Sequence, residues 1–182
     1  WLVELVFDDL VVWTEWIARR RTLLPGQMIA LGSDNLTAAT VQGGQTCSRT
    51  HAVWESGLDN SPLYDNITTL HAPAGETCFL PLYDVGMTGL YLSMLSALAD
   101  LGDAIGRVAT AADFRARHDA MAARLNDNAL GLWDSGLSAY ANRKLDGEFV
   151  RRLSPFQFHP MLSGAAPPDR ARQVEVQHPL PV

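Results

Sequence analysis

Leu2, Leu5, Val6, Leu10, Trp13, Trp16 and Ile17 recur at helical intervals with Glu4, Asp8, Asp9 and Glu15 between them, and predict an amphipathic helix over 2–21. No capping residue precedes it. From Leu24 to Pro81 that period is lost and Gly, Pro, Asn, Asp, Ser and Thr take over, as in Gly32-Ser33-Asp34-Asn35 and Gly43-Gly44-Gln45. A connection this long within a compact domain is either functional or hides further elements, with short helical turns expected near Trp54 and between Tyr64 and Leu70.

The helical period returns over 84–101, where Met87, Leu90, Tyr91, Met94, Leu95, Leu98 and Leu101 form one stripe and Gly86, Gly89, Ser93, Ser96 and Ala97 lie among them. Small residues admit close neighbours, so this helix is expected to be buried on more than one side. A third helix is predicted to start at a Thr110-x-x-Asp113 capping box and to end before Asn126-Asp127-Asn128. Leu137 to Arg143 alternates and runs into Leu145-Asp146-Gly147-Glu148, which predicts a small β-hairpin. Pro167-Pro168 marks the start of a last helix with its body over 169–176. The pattern is all-α, with long loops and marginal strand.

At 182 residues, 47% hydrophobic and 19% charged, the chain suffices for one sizeable core or for part of a larger domain. A net charge of -6 excludes nucleic acid as a partner, since phosphate neutralisation needs a basic face. The one dense cationic run, Arg19-Arg20-Arg21, reads as a solvated helix end complementing the dipole. No run of 18 or more apolar residues occurs, so no membrane partner is expected and the default location is cytoplasmic. Cys47 and Cys78 form no disulfide framework or metal spacing and read as free thiols. The five histidines are scattered, and Gly43-Gly44 and Gly86-x-x-Gly89 lack the phosphate-loop pattern, so no metal and no cofactor are expected. Asp84 reads as a helix cap. Trp13 and Trp16 share a face suited to the core, with Trp13 also a candidate to face a pocket.

The chemistry concentrates in Trp54-Glu55-Ser56-Gly57-Leu58-Asp59-Asn60-Ser61-Pro62-Leu63-Tyr64-Asp65. Aromatic faces stack on the apolar side of a pyranose while carboxylates and amides grip its hydroxyls. Cleaving a glycoside also needs a carboxylic acid to protonate the departing oxygen, and Asp59, between Glu55 and Asp65, is the candidate. On composition alone, Asp59, Asn60 and Ser61 read first as turn and cap residues.

The run Glu55 to Pro62, with Trp54 ahead of it, resembles the general-acid loop of glycoside hydrolase family 63 and its mannosylglycerate-hydrolase-type relatives. Leu31-Gly-Ser-Asp-Asn35, Asp84-Val-Gly-Met-Thr-Gly-Leu-Tyr91, Leu132-Trp-Asp134, Tyr140 to Arg143, Asp146-Gly-Glu-Phe149 and Ser154-Pro155 agree in order. The resemblance implies an (α/α)6 barrel of six helical hairpins and an inverting, exo-acting α-glucosidase or α-mannosidase without cofactor. Its substrate would be an oligosaccharide or small glycoside. Asp59 takes the general acid's position and Trp54 that of an aromatic wall, with Glu55, Asn60 and Trp13 as substrate-binding candidates. The family's general base is a late Glu, and Glu175, the only glutamate after Ser154, lacks its surroundings. Too few helices are predicted for a ring of twelve. Residues 1–182 are therefore expected to be a partial barrel, truncated at the C-terminal and also the N-terminal side, with the base outside the chain and no turnover by the chain alone. A trehalase-like hydrolase and a non-catalytic carbohydrate-binding remnant stay open as alternatives. Sugar identity, linkage and oligomeric state have no signature in the sequence.

Overall fold

The computed structural model describes residues 1–22, 27–34, 48–68, 70–71 and 77–177, with only the backbone at 70–71. Helix α1 (Leu2–Arg21) has the predicted bounds. Its inner face is set by Phe7, Thr14, Ile17 and Arg21, all buried, while Leu2, Leu5, Val12 and Trp13 are exposed. The predicted stripe is thus split, and α1 carries a second apolar face that the core does not use.

Three short strands follow, β1 (Gly32–Asp34), β2 (Leu70–His71) and β3 (Thr77–Phe79). Strand β3 is central and antiparallel to both neighbours, with Ser33 opposite Cys78 and Leu70 opposite Phe79. Between β1 and β2 lie α2 (Arg49–Trp54), the turn expected near Trp54, and a 3₁₀ turn over Pro62–Tyr64, which ends where the second turn is expected to begin. Sequence alternation missed this sheet because strands of two or three residues are too short to display a period.

Strand β4 (Leu82–Tyr83) leads into α3 (Val85–Ala104), the central helix, which packs against α1 and against α4 (Val108–Leu125). Asp84 caps α3 by accepting from the Met87 amide at 2.8 Å. It is buried at 1% exposure and also accepts from the Tyr64 hydroxyl at 2.7 Å and the Asn142 amide at 3.0 Å. Burial pushes its carboxyl above the ordinary range despite these donors. Helix α4 starts at Val108 with Arg107 at the cap and no side-chain cap bond, so the predicted Thr110 capping box is instead part of the first turns. It ends as predicted, with Asn126 at the C-cap.

The expected hairpin closes at the Leu145–Glu148 turn, where the Lys144 amide donates to the Glu148 carbonyl at 2.8 Å, and the alternating run before it is divided between two sheets. Strand β5 (Trp133–Asp134) pairs with β6 (Ala139–Tyr140), whereas β7 (Arg143–Lys144) pairs with β4. Beyond β7 the chain turns at Gly147, φ 92°, and Phe149 bridges back to Arg143. A 3₁₀ turn (Pro155–Phe158), α5 (His159–Leu162) and α6 (Pro168–Gln177) complete the described chain, which is mostly helical.

One cluster of buried residues joins α1, α3 and α4 through Phe7, Leu92, Leu95, Leu98, Phe114 and Met121. A second, built on Leu31, Val53, Leu63, Tyr64, Leu80 and Leu82, underlies the 48–67 segment. The small residues of α3 act as predicted: a Cβ on Gly86 would lie 2.2 Å from the Phe156 ring, and one on Gly89 would lie 2.7 Å from the backbone carbon of His159. His159 Nδ1 also lies 3.1 Å from the Gly86 carbonyl. Helix α3 is long and apolar enough in composition to cross a bilayer, and more than half of it is buried within the fold.

Cys78, wholly buried in β3, is disulfide-bonded, which corrects the free-thiol reading. The chain's other cysteine, Cys47, lies outside the described residues. Thiol titration of the unreduced, denatured protein is expected to find no free thiol, where the sequence reading gave two. Gly89→Ala is expected to lower the free energy of unfolding by about 1–3 kcal/mol in urea denaturation, because backbone rather than a flexible side-chain tip must yield.

Candidate active site

Helix α2 is short and begins at Ser48, whose hydroxyl accepts from the His51 amide at 3.3 Å. It ends where the Ser56 and Gly57 amides donate back to Val53 and Trp54, each at 3.0 Å. Ser56 is buried; its hydroxyl donates to the Val53 carbonyl at 2.6 Å and accepts from the Leu58 amide at 2.9 Å. Gly57 lies in the left-handed region at φ 71°, a conformation that costs a glycine little and lets the chain reverse. On the far side, the Ser61 amide donates to the Leu58 carbonyl at 3.0 Å and the Ser61 hydroxyl caps the 3₁₀ turn. Leu63 and Tyr64 then anchor the chain in the second core cluster. Both ends of the turn are fixed, and Trp54, Asp59 and Asn60 are exposed along it.

The near end is fixed by Arg21. Its guanidinium is buried at the C-terminus of α1, where Nε donates to both carboxylate oxygens of Glu55 at 2.8 and 3.1 Å and Nη2 also bonds Glu55. Nη1 and Nη2 reach the two oxygens of Asp34 at 3.2 and 3.1 Å. Glu55 further accepts from the Gly32 amide at 2.9 Å, and Asp34 from Thr77 at 2.7 Å and Arg20 at 3.0 Å. Burial opposes charge on Arg21 most, but its bonds to Glu55 and Asp34 outweigh it and hold the guanidinium above its usual range. For Asp34, burial again acts most and upward, yet the donors from Arg21 and Thr77 prevail and hold its carboxyl below the usual range. Arg21 is therefore no solvated helix end, a correction to the reading of the Arg19–Arg21 run. The spacing held a signal for it: Thr14, Ile17 and Arg21 are three and four residues apart and share the buried face.

Between α1 and α3 opens a cavity of about 430 Å³, walled by Trp13, Trp16, Met87 and Tyr91, with Arg21 and Glu55 at its polar edge. Its volume falls within the usual range for ligand sites. Trp13 and Trp16 stack with ring centroids 5.1 Å apart and planes 9° from parallel, and the Arg21 guanidinium lies 4.7 Å from the Trp16 centroid. Of the five sequence-predicted residues, Trp13 and Glu55 border this cavity. Trp54 packs on His51 at 5.1 Å between centroids, and neither it nor Asp59 nor Asn60 is in the cavity wall. Arg21, Asp34 and Trp16 escaped the sequence reading as site residues. Among the described residues, no three His, Cys, Asp or Glu side chains gather as a metal centre.

A family model described as the mannosylglycerate hydrolase MGH1-like glycoside hydrolase domain matches residues 2–179. No curated protein matches the chain.

The lowered pKa of Asp34 sets a pH dependence. A carboxyl with a depressed folded-state pKa contributes stability that is complete above its ordinary value of 3.8 and is lost as pH falls through the folded value. Urea midpoints measured from neutral pH downward are expected to drop more steeply below that value for the wild type than for Asp34→Asn.

Proposed function

The chain belongs to the mannosylglycerate hydrolase MGH1-like glycoside hydrolase domain family, and from that premise we propose that it is an inverting, exo-acting glycosidase for an α-linked glucoside or mannoside, with Asp59 as general acid. The observation that carries this reading is the placement of the Glu55–Pro62 run: a turn secured at both ends that exposes Asp59, and whose first residue, Glu55, borders a cavity walled by indoles. In this reading the helical hairpin of α3 and α4, joined through Gly106 at φ 75°, is one unit of an (α/α)6 barrel.

The chemistry follows from the exposed carboxyl. Asp59 gives its proton to the glycosidic oxygen as the bond to the anomeric carbon breaks, so the leaving alcohol departs neutral. Trp54 offers its half-exposed indole to the apolar face of the sugar and Asn60 an amide to its hydroxyls, while Trp13 walls the cavity that Glu55 borders. Glu55 already spends both oxygens on Arg21 and the Gly32 amide, and its main part is to hold the turn. Inversion calls for a second carboxylate about 6.5–9.5 Å from the acid to activate water on the opposite face. That base is the glutamate expected outside these 182 residues, so the assay uses the polypeptide of the complete reading frame. A non-catalytic remnant would bind sugar there without releasing it.

Asp59→Asn is expected to lower kcat/KM on an α-linked disaccharide by about 10²–10⁴-fold. A 2,4-dinitrophenyl glycoside needs no protonation and should lose far less. Equal loss on both substrates, or none on either, removes Asp59 from this role.

A further inference from the structure

We propose that Arg21 is a positioning residue of the glycosidase reaction, acting through Glu55 to aim the turn that carries Asp59; this rests on the reading of Asp59 as the general acid. The geometry separates the two carboxylates that Arg21 grips. Asp34 has Thr77 and Arg20 as further partners and sits within the β1–β3 ladder, so its place is fixed several times over. Among the described residues, the Glu55 carboxylate is held by Arg21 and the Gly32 amide alone. Glu55 is also the residue at which α2 ends and the acid turn begins. Helix α2 has six residues, too few to keep its own direction without tertiary support. Two residues on, Gly57 takes the left-handed conformation, φ 71°, that reverses the chain toward Asp59. Val53 in the core and the bonded Ser56 hydroxyl hold the backbone on either side of Glu55, and the Arg21 clamp on Glu55 adds a charged restraint at the start of the turn that carries Asp59.

Arginine suits the task in a way lysine does not. One edge of the planar guanidinium, Nε with Nη2, meets Glu55, while Nη1 and Nη2 meet Asp34, and the ring of Trp16 lies against it. A lysine ammonium is a single point and cannot span both carboxylates with this fork. The clamp also borders the cavity, so a sugar bound against Trp13 and Trp16 lies next to the group that orients the acid.

The experiment uses Arg21→Lys and Glu55→Gln in the polypeptide of the complete reading frame, with Asp59→Asn alongside and melting curves confirming the fold of each. The probes are an α-linked disaccharide and the matching 2,4-dinitrophenyl α-glycoside. A misaimed acid costs rate only where protonation is needed: the expected result for both clamp variants is a fall of about 10–100-fold in kcat on the disaccharide and about 3-fold or less on the dinitrophenyl glycoside. A purely structural role would lower both rates together, and that outcome, or no change in either, overturns the inference. If Asp59→Asn discriminates between the probes and the clamp variants do not, the inference alone falls. If the wild type releases no sugar, or Asp59→Asn fails to discriminate, the glycosidase reading falls and takes this proposal with it. Should Arg21→Lys not fold, Glu55→Gln decides, since it keeps Arg21 paired with Asp34; amide hydrogen exchange must then rise over 54–61 while α3 and α4 keep their protection, and unchanged exchange at 54–61 overturns the proposal.

Discussion

A buried arginine holds this site together. Removing a guanidinium from water costs several kcal/mol, and the cost is recovered only when carboxylates meet it in good geometry. Arg21 has two such partners from two different segments, Asp34 of β1 and Glu55 at the end of α2. That arrangement ties the last residue of α1 to the sheet and to the turn that exposes Asp59. The indole wall belongs to the same helix, with Trp16 about one turn and Trp13 about two turns before Arg21. Arg21 and Glu55 thus border the cavity and at the same time hold the near end of the Glu55–Pro62 turn.

The opposite end of the turn depends on α3. Tyr64 closes the 3₁₀ turn and donates to Asp84, which caps α3 and takes a further donor from Asn142. The Glu55–Pro62 turn is therefore suspended between two polar networks of opposite pH sense. Asp34 stabilises the fold above its depressed pKa and stops doing so in acid. Asp84, whose folded pKa burial raises, contributes fully below its ordinary value and loses that contribution as pH rises through the raised one. Packing completes the frame: Phe156 and His159 lie where Gly86 and Gly89 leave room, which locks α5 and its preceding turn onto α3.

Long periodic segments were legible in the sequence. The bounds of α1, Asp84 as the cap of α3, Asn126 at the end of α4 and the Pro168 start of α6 all follow from spacing and end residues. The strands were not, because pairs such as Leu82–Tyr83 with Arg143–Lys144 owe their existence to long-range contacts. The Arg19–Arg21 run misled for a related reason: composition reports charge, and only the three-and-four spacing from Thr14 and Ile17 shows that the third arginine turns inward. The Glu55–Pro62 run was visible as a motif, whereas the clamp behind it joins residues 34 positions apart and left no local signature. Trp13 was read first as core and is 53% exposed, as a wall residue rather than a packing one.

Glu55, the first residue of the turn that exposes Asp59, borders the aromatic cavity, and on that adjacency the proposal of acid-assisted glycoside hydrolysis rests. Membership of the family rests on nearly the whole chain, residues 2–179, and not on the acid loop alone. The most direct test is to follow hydrolysis of an α-glycoside by the complete polypeptide with ¹H NMR and read the anomeric signal of the first sugar released. An inverting acid–base pair that includes Asp59 predicts the β-anomer first, before mutarotation mixes the two. Release of the α-anomer first, or no release at all, would contradict it.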